Sequence, residues 1–171
     1  MGILDVKVIR RIRQHHAIEH ATVTILMARH RSLQLVGGRS NHRGFYIYGD
    51  VETPVLEAAA SEALERLQRG EAGLAIHPNC GTNLVTTGTL AGLGAFVTTA
   101  IGRRSKTSIL DQIPAAILAA MVGLLLGRPL GTRLQRRVTT LADVRGLQVH
   151  SVTRRQLGRW VQHFVSVTGA P

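Results

Sequence analysis

The chain has one cysteine, Cys80, in 171 residues, so no intramolecular disulfide can form and the thiol is left for ligation, reactivity or packing. That usage fits a reducing compartment. Aromatic residues make up 4% of the chain, too few to interleave with its basic side chains as base-stacking platforms, which argues against a nucleic-acid partner. Acidic residues are scarce as well: 10 Asp and Glu against 21 Lys and Arg leave a net charge of +11, which an anionic membrane surface would accommodate. The first residues lack an apolar h-region and a small-residue cleavage site; Asp5, Lys7, Arg10, Arg11 and Arg13 are spaced as on a helix, so no signal peptide is expected. There is no internal repeat, and the length suits one domain with a real core.

What is present begins with His16-Ala17-Ile18-Glu19-His20, an H-x-x-E-H run inside an uninterrupted helical pattern from Ile3 to His30. Positions i, i+3 and i+4 share a helix face, so two imidazoles and a carboxylate converge. Val8, Ile9, Ile12, Val23, Leu26 and Met27 form an apolar stripe that contains the trio. A buried carboxylate needs compensation, most simply by a metal cation, which two imidazole nitrogens are suited to hold. The plainer alternative is a helix whose His and Glu face solvent or pair with one another.

Downstream, Leu33–Val36 and Phe45–Val51 read as the strands of a hairpin joined by the turn-rich residues 37–44. Thr53 as N-cap, Pro54 at the first helical position and Gly70 as a stop define a second helix. Residues 77–83 form a rigid polar turn. Two long apolar stretches follow, Leu84–Gly102 without a charge and Ile109–Gly127 with only Asp111 near its start, each the length of a membrane-spanning helix. Gly88 and Gly92 form a G-x-x-x-G pair, and Ala91, Gly94, Ala95, Ala115, Ala116, Ala119 and Ala120 add small residues, surfaces on which two helices approach closely and on which copies of the chain could associate. Past Arg128, Val138–Leu141, Leu147–Val152 and Trp160–Val167 suggest strands, with a helix over Gln156–Phe164 as the rival for the last.

Metal sites need three or four ligands, and His77 and Cys80, three apart in the turn, are the candidates to complete the helix pair. The N-terminus of the following helix would favour the thiolate form of Cys80. Taken together, His16-Ala17-Ile18-Glu19-His20, then His77-Pro78-Asn79-Cys80-Gly81-Thr82 and at once an apolar helix, resemble an uncharacterised group of bacterial membrane proteins described as predicted metal-dependent enzymes. The hallmark of that group is H-G-A-E-H-K followed by H-P-x-C-G-T ahead of a transmembrane segment. This chain has Ala17-Ile18 for Gly-Ala and Ala21 for the lysine, and its C-terminal strands have no counterpart in the pattern. The H-x-x-E-H run by itself is similar to the inverted zincin motif, in which the histidines bind zinc and the glutamate is the general base.

The expected architecture is α+β: a long metal-binding helix and a small antiparallel sheet attached to a two-helix transmembrane hairpin, with residues 1–83 as the metal-binding part, 84–127 as the hairpin and 128–171 as a basic β-rich part completing the first. Arg66, Arg69, Arg128, Arg133, Arg136, Arg137 and Arg145 outweigh Arg103, Arg104 and Lys106 in the loop, which would put the metal face on the cytoplasmic side of the inner membrane. The first functional expectation is a zinc-dependent hydrolase, another divalent transition metal also being suitable, with His16, His20, His77 and Cys80 around the metal, Glu19 catalytic and a membrane-associated substrate. The second is a non-enzymatic metalloprotein with the same three histidines and Cys80 as a closed structural site. A metal-free Cys-His enzyme using Cys80 as nucleophile is a third. His15, on a more polar face, is expected beside the site or in solvent; His30, His42, His150 and His163 are expected at the surface or in the core; Asp50 suits a turn and Asn83 a helix cap.

Overall fold

The computed structural model describes residues 2–30, 37–104 and 107–169 and resolves them into two compact units: residues 1–77 with 136–171, and residues 78–135. The first unit is a two-layer α+β structure. Helices α1 (Lys7–Arg29) and α2 (Thr53–Gln68) pack on a four-stranded antiparallel sheet of β1 (Gly37–Asn41), β2 (Gly44–Tyr48), β3 (Leu147–Leu157) and β4 (Trp160–Gly169). The strand order is β1-β2-β4-β3, so the late hairpin does join the early one. In β4 the inward positions alternate, with Val161, His163, Val165 and Val167 buried, as a half-covered strand requires.

The core is formed by Ala17, Ile18, Ala21, Ile25 and Leu26 of α1, the Leu56, Ala60, Ala63, Leu64 and Leu67 face of α2, and Phe45, Ile47, Leu147 and Val165 from the sheet. Two members of the expected stripe, Val8 at 53% and Met27 at 47% exposure, lie outside it. The small residues Ala17 and Ala21 set the buried face instead, because they let α1 lie close to its neighbours. Thr53 is the first residue of α2 and Glu52 stands at the N-cap, one position earlier than the sequence suggests.

The expected strand over Leu33–Val36 lies outside the described residues, and β1 is formed by residues expected to belong to the turn. The turn itself is tighter: Asn41 Oδ1 accepts from the backbone N–H groups of Arg43 and Gly44 at 2.7 and 3.1 Å. Val138–Leu141 is not a strand. A π-helical turn occupies Gln135–Thr139, and backbone groups that could have joined a sheet are taken by α1: the Thr140 carbonyl accepts from Arg13, and Leu141 N–H donates to the Arg13 carbonyl at 3.0 Å. The rival helix over 156–164 is likewise replaced by a β-hairpin, turning at Gly158 with φ of +60°.

The second unit is an antiparallel helical hairpin of α3 (Gly81–Arg104) and α4 (Ile109–Leu134). Both helices are long and apolar enough to cross a membrane. α4 runs seven residues beyond the expected end and through Pro129, an interruption that helices in bilayers tolerate. The seam keeps Gly94 and Ala119 of the expected small residues and uses Gly123, Gly127 and Gly131 in place of Gly88 and Gly92. A Cβ at Gly123, Gly127 or Gly131 would lie 2.4–2.6 Å from Leu90, Thr87 or Asn83, and one at Gly94 would lie 2.7 Å from the Ala119 carbonyl; Gly88 and Gly92 face open space. The spacing of Gly123, Gly127 and Gly131 keeps one side of α4 smooth for about two turns.

Candidate metal centre

His16 and His20 lie one turn apart on α1 with ring centroids 4.3 Å apart, and their candidate ligand nitrogens are within 4.8 Å of one another. Each ring is fixed from behind by a backbone carbonyl. His20 Nδ1 is 2.8 Å from the Ala75 oxygen and His16 Nδ1 is 2.9 Å from the Thr139 oxygen. A carbonyl only accepts, so both Nδ1 atoms carry the proton and both lone pairs sit on Nε2. His20 Nε2 is buried and has no hydrogen-bond partner among the described residues. A ring oriented through Nδ1–H with a lone pair left on Nε2 is how metal-ligating histidines are held.

The two carbonyls come from distant parts of the chain. Ala75 closes a short 3-10 helix, Ala72–Ala75, after α2, and Thr139 closes the π-helical turn. The 3-10 segment also delivers His77, whose ring centroid is 5.8 Å from that of His20. Three imidazoles therefore gather in the first unit. Cys80 follows His77 by three residues, a chain distance of at most about 11 Å between Cα atoms. It is buried, and its carbonyl accepts from Asn83 and Leu84 N–H at 2.9 and 3.2 Å, so it stands at the N-cap of α3.

Glu19 is 6% exposed and is held from the β1 side. Ser40 Oγ–H donates to its Oε2, and its carboxylate lies so near Gly38 that a Cβ there would come within 2.3 Å of Oε1. The sequence calls for compensation of this carboxylate; the structure supplies a hydroxyl among its neighbours. Gly38 is thus required for a close approach rather than for a turn.

His15 is not in solvent. It is fully buried, with Nδ1 2.7 Å from the Asn41 carbonyl, and burial holds it below the ordinary histidine range, helped by Arg11 and His42 and opposed by the Asn41 bond. His163 is fully buried on β4, and burial first, then Arg154, lower its pKa. His30, His42 and His150 are exposed. Asp50 pairs with Arg154 at 3.0 Å, and Asn83 lies in the first turn of α3, donating to the Pro78 carbonyl at 2.8 Å. Ser40, Gly38 and the two orienting carbonyls had no place in the sequence reading. Only the Gly37-Gly38 pair left a signal, and it resembles a turn.

Residues 11–152 match the family described as "Domain of unknown function (DUF6391)", a stretch that begins within α1 and ends within β3. The chain belongs to the DUF6391 family. It is also 37% identical over 139 residues to an uncharacterised protein of Picosynechococcus sp. (strain ATCC 27264 / PCC 7002 / PR-6), a match covering 75% of this chain and 65% of that relative. No solved structure matches the chain. The DUF6391 match contains both motifs, H-x-x-E-H and His77-x-x-Cys80, and supports the resemblance to an uncharacterised family; its description assigns no chemistry.

Proposed function

We propose that this DUF6391 protein is a membrane-anchored metalloprotein whose His16, His20 and His77 bind a divalent transition metal, zinc being the one best suited to imidazole and thiolate donors. The observation that carries it is the paired orientation of His16 and His20, whose Nδ1–H groups are each committed to a backbone carbonyl so that the nitrogens left to ligate are the Nε2 atoms. Anchoring rests on α3 and α4, whose apolar side chains, among them Leu84, Phe96, Ile101, Leu118 and Leu125, are exposed as lipid-facing residues would be. The excess of arginine at the outer ends of the two spans supports a cytoplasmic metal face in the inner membrane.

On the hydrolase reading, His16, His20 and His77 would hold the metal, and Glu19 would accept a proton from water during hydrolysis of a membrane-associated substrate. The bound metal would supply Lewis acidity. A second reading is favoured by a specific observation: Glu19 is engaged by Ser40 and packed on Gly38, which suits a carboxylate serving structure. Cys80 would then be the fourth ligand of a closed site. The test is elemental analysis of the full chain purified without added metal, beside His20→Ala, Cys80→Ala and Glu19→Gln. About one metal per chain in wild type and little in His20→Ala is expected. A metal-free wild type overturns the proposal. Metal loss in Cys80→Ala favours the closed site, whereas a Glu19→Gln variant that keeps metal but loses a hydrolytic activity shown by wild type favours the open one.

A further inference from the structure

The hairpin unit carries a groove of about 770 Å³, within the range of small-molecule sites, at the end where α3 begins and α4 finishes. Its wall is apolar: Leu84 of α3 and Met121, Leu124 and Leu125 of α4, all exposed. Its polar end is formed by Asn79, Asn83 and Arg128. Arg128 lies one turn beyond Leu124 and has no acidic partner among the described residues. Asp111, the sole acid of residues 78–135, is at the opposite end of α4. The buried Asn83 spends its amide N–H on Pro78, and its Oδ1 has no hydrogen-bond partner among the described residues.

The geometry points to a site for an anionic phospholipid, its acyl chain along Leu84, Met121, Leu124 and Leu125 and its phosphate on Arg128. The charge decides the occupant. A second protein helix would cover the apolar wall but leave the guanidinium without a counter-charge in a dehydrated groove, whereas an anionic lipid satisfies both ends. Phosphatidylglycerol, which carries a single phosphate charge for Arg128 to meet, is the probe. The inference rests on the bilayer reading of this unit and on no property of the metal centre.

The experiment places the full chain in nanodiscs of phosphatidylcholine with a minor fraction of phosphatidylglycerol, then measures lipid retained after detergent extraction by native mass spectrometry. Wild type should retain phosphatidylglycerol in preference to phosphatidylcholine. Arg128→Gln should weaken that retention about fivefold while the protein still inserts. Arg133→Gln, an arginine on the same helix outside the groove lining, should leave it unchanged, and Leu124→Trp should lower retention by filling the wall. Equal losses in the two arginine variants would indicate diffuse electrostatics and overturn the site. So would absence of headgroup preference, or a dimer that excludes the lipid. A wild-type chain that does not insert at all would instead defeat the bilayer reading, a result separable from the others by flotation of the chain with phosphatidylcholine vesicles.

Discussion

The Ser40 hydroxyl is one of the groups that engage the buried Glu19 carboxyl. A hydrogen bond to a charged group contributes about 1.5–3 kcal/mol, so Ser40→Ala should destabilise the chain by that order, read from denaturant unfolding in detergent. The loss should shrink in a Glu19→Gln background, because the amide needs less compensation; additive losses would mean that the two residues act independently. The H-x-x-E-H trio was legible from helical spacing alone, since i and i+4 fix a shared face whatever surrounds them. The contact of Glu19 with a strand was not: it depends on a close approach at Gly38 that no residue in α1 records.

Among the elements, α3 and α4 were legible because long uncharged runs have few alternatives. Their seam was legible only in part: Gly94 meets Ala119 as expected, but Gly88 and Gly92, which have the right spacing, do not face the partner helix, because only rotational setting within the hairpin decides which glycine stripe does. The structure chooses Gly123, Gly127 and Gly131. Gly127→Leu should therefore force the helices apart, as its Cβ alone would lie 2.5 Å from Thr87, and lower the thermal unfolding temperature markedly. Gly88→Leu, with open space at that position, should leave the temperature nearly unchanged. The reverse ranking would show that the other stripe forms the seam. In the first unit, alternation identified β4, whereas the β-branched run Val138-Thr139-Thr140 misled because helix α1 claims its carbonyls.

For the whole molecule, buried neutral histidines couple stability to pH. His163 and His15 both have lowered pKa values, caused chiefly by burial, so the unfolded chain takes up protons near the ordinary histidine value of about 6.5 that the folded chain refuses. Their contribution is full above about pH 6.5 and is lost as pH falls below it, by at most about 1.4 kcal/mol per pH unit for each group. Unfolding of the full chain in detergent should thus become easier between about pH 6.5 and 5.5, and His163→Gln should flatten the slope even if it lowers stability at pH 7. An unchanged slope would remove His163 from the account.

The sequence by itself determined the chemistry available on α1, the two apolar spans, the α+β class and the nearness of His77 to Cys80, because each depends on spacing along a few turns or a single run of residues. Tertiary structure alone decided that His77 meets His20, that Thr139 and Ala75 orient the two imidazoles, that His15 is buried and that Glu19 rests on β1. The physical reason is that every residue carries the same carbonyl, so an orienting acceptor has no signature in residue type and is identified only when the chain brings it to the ring.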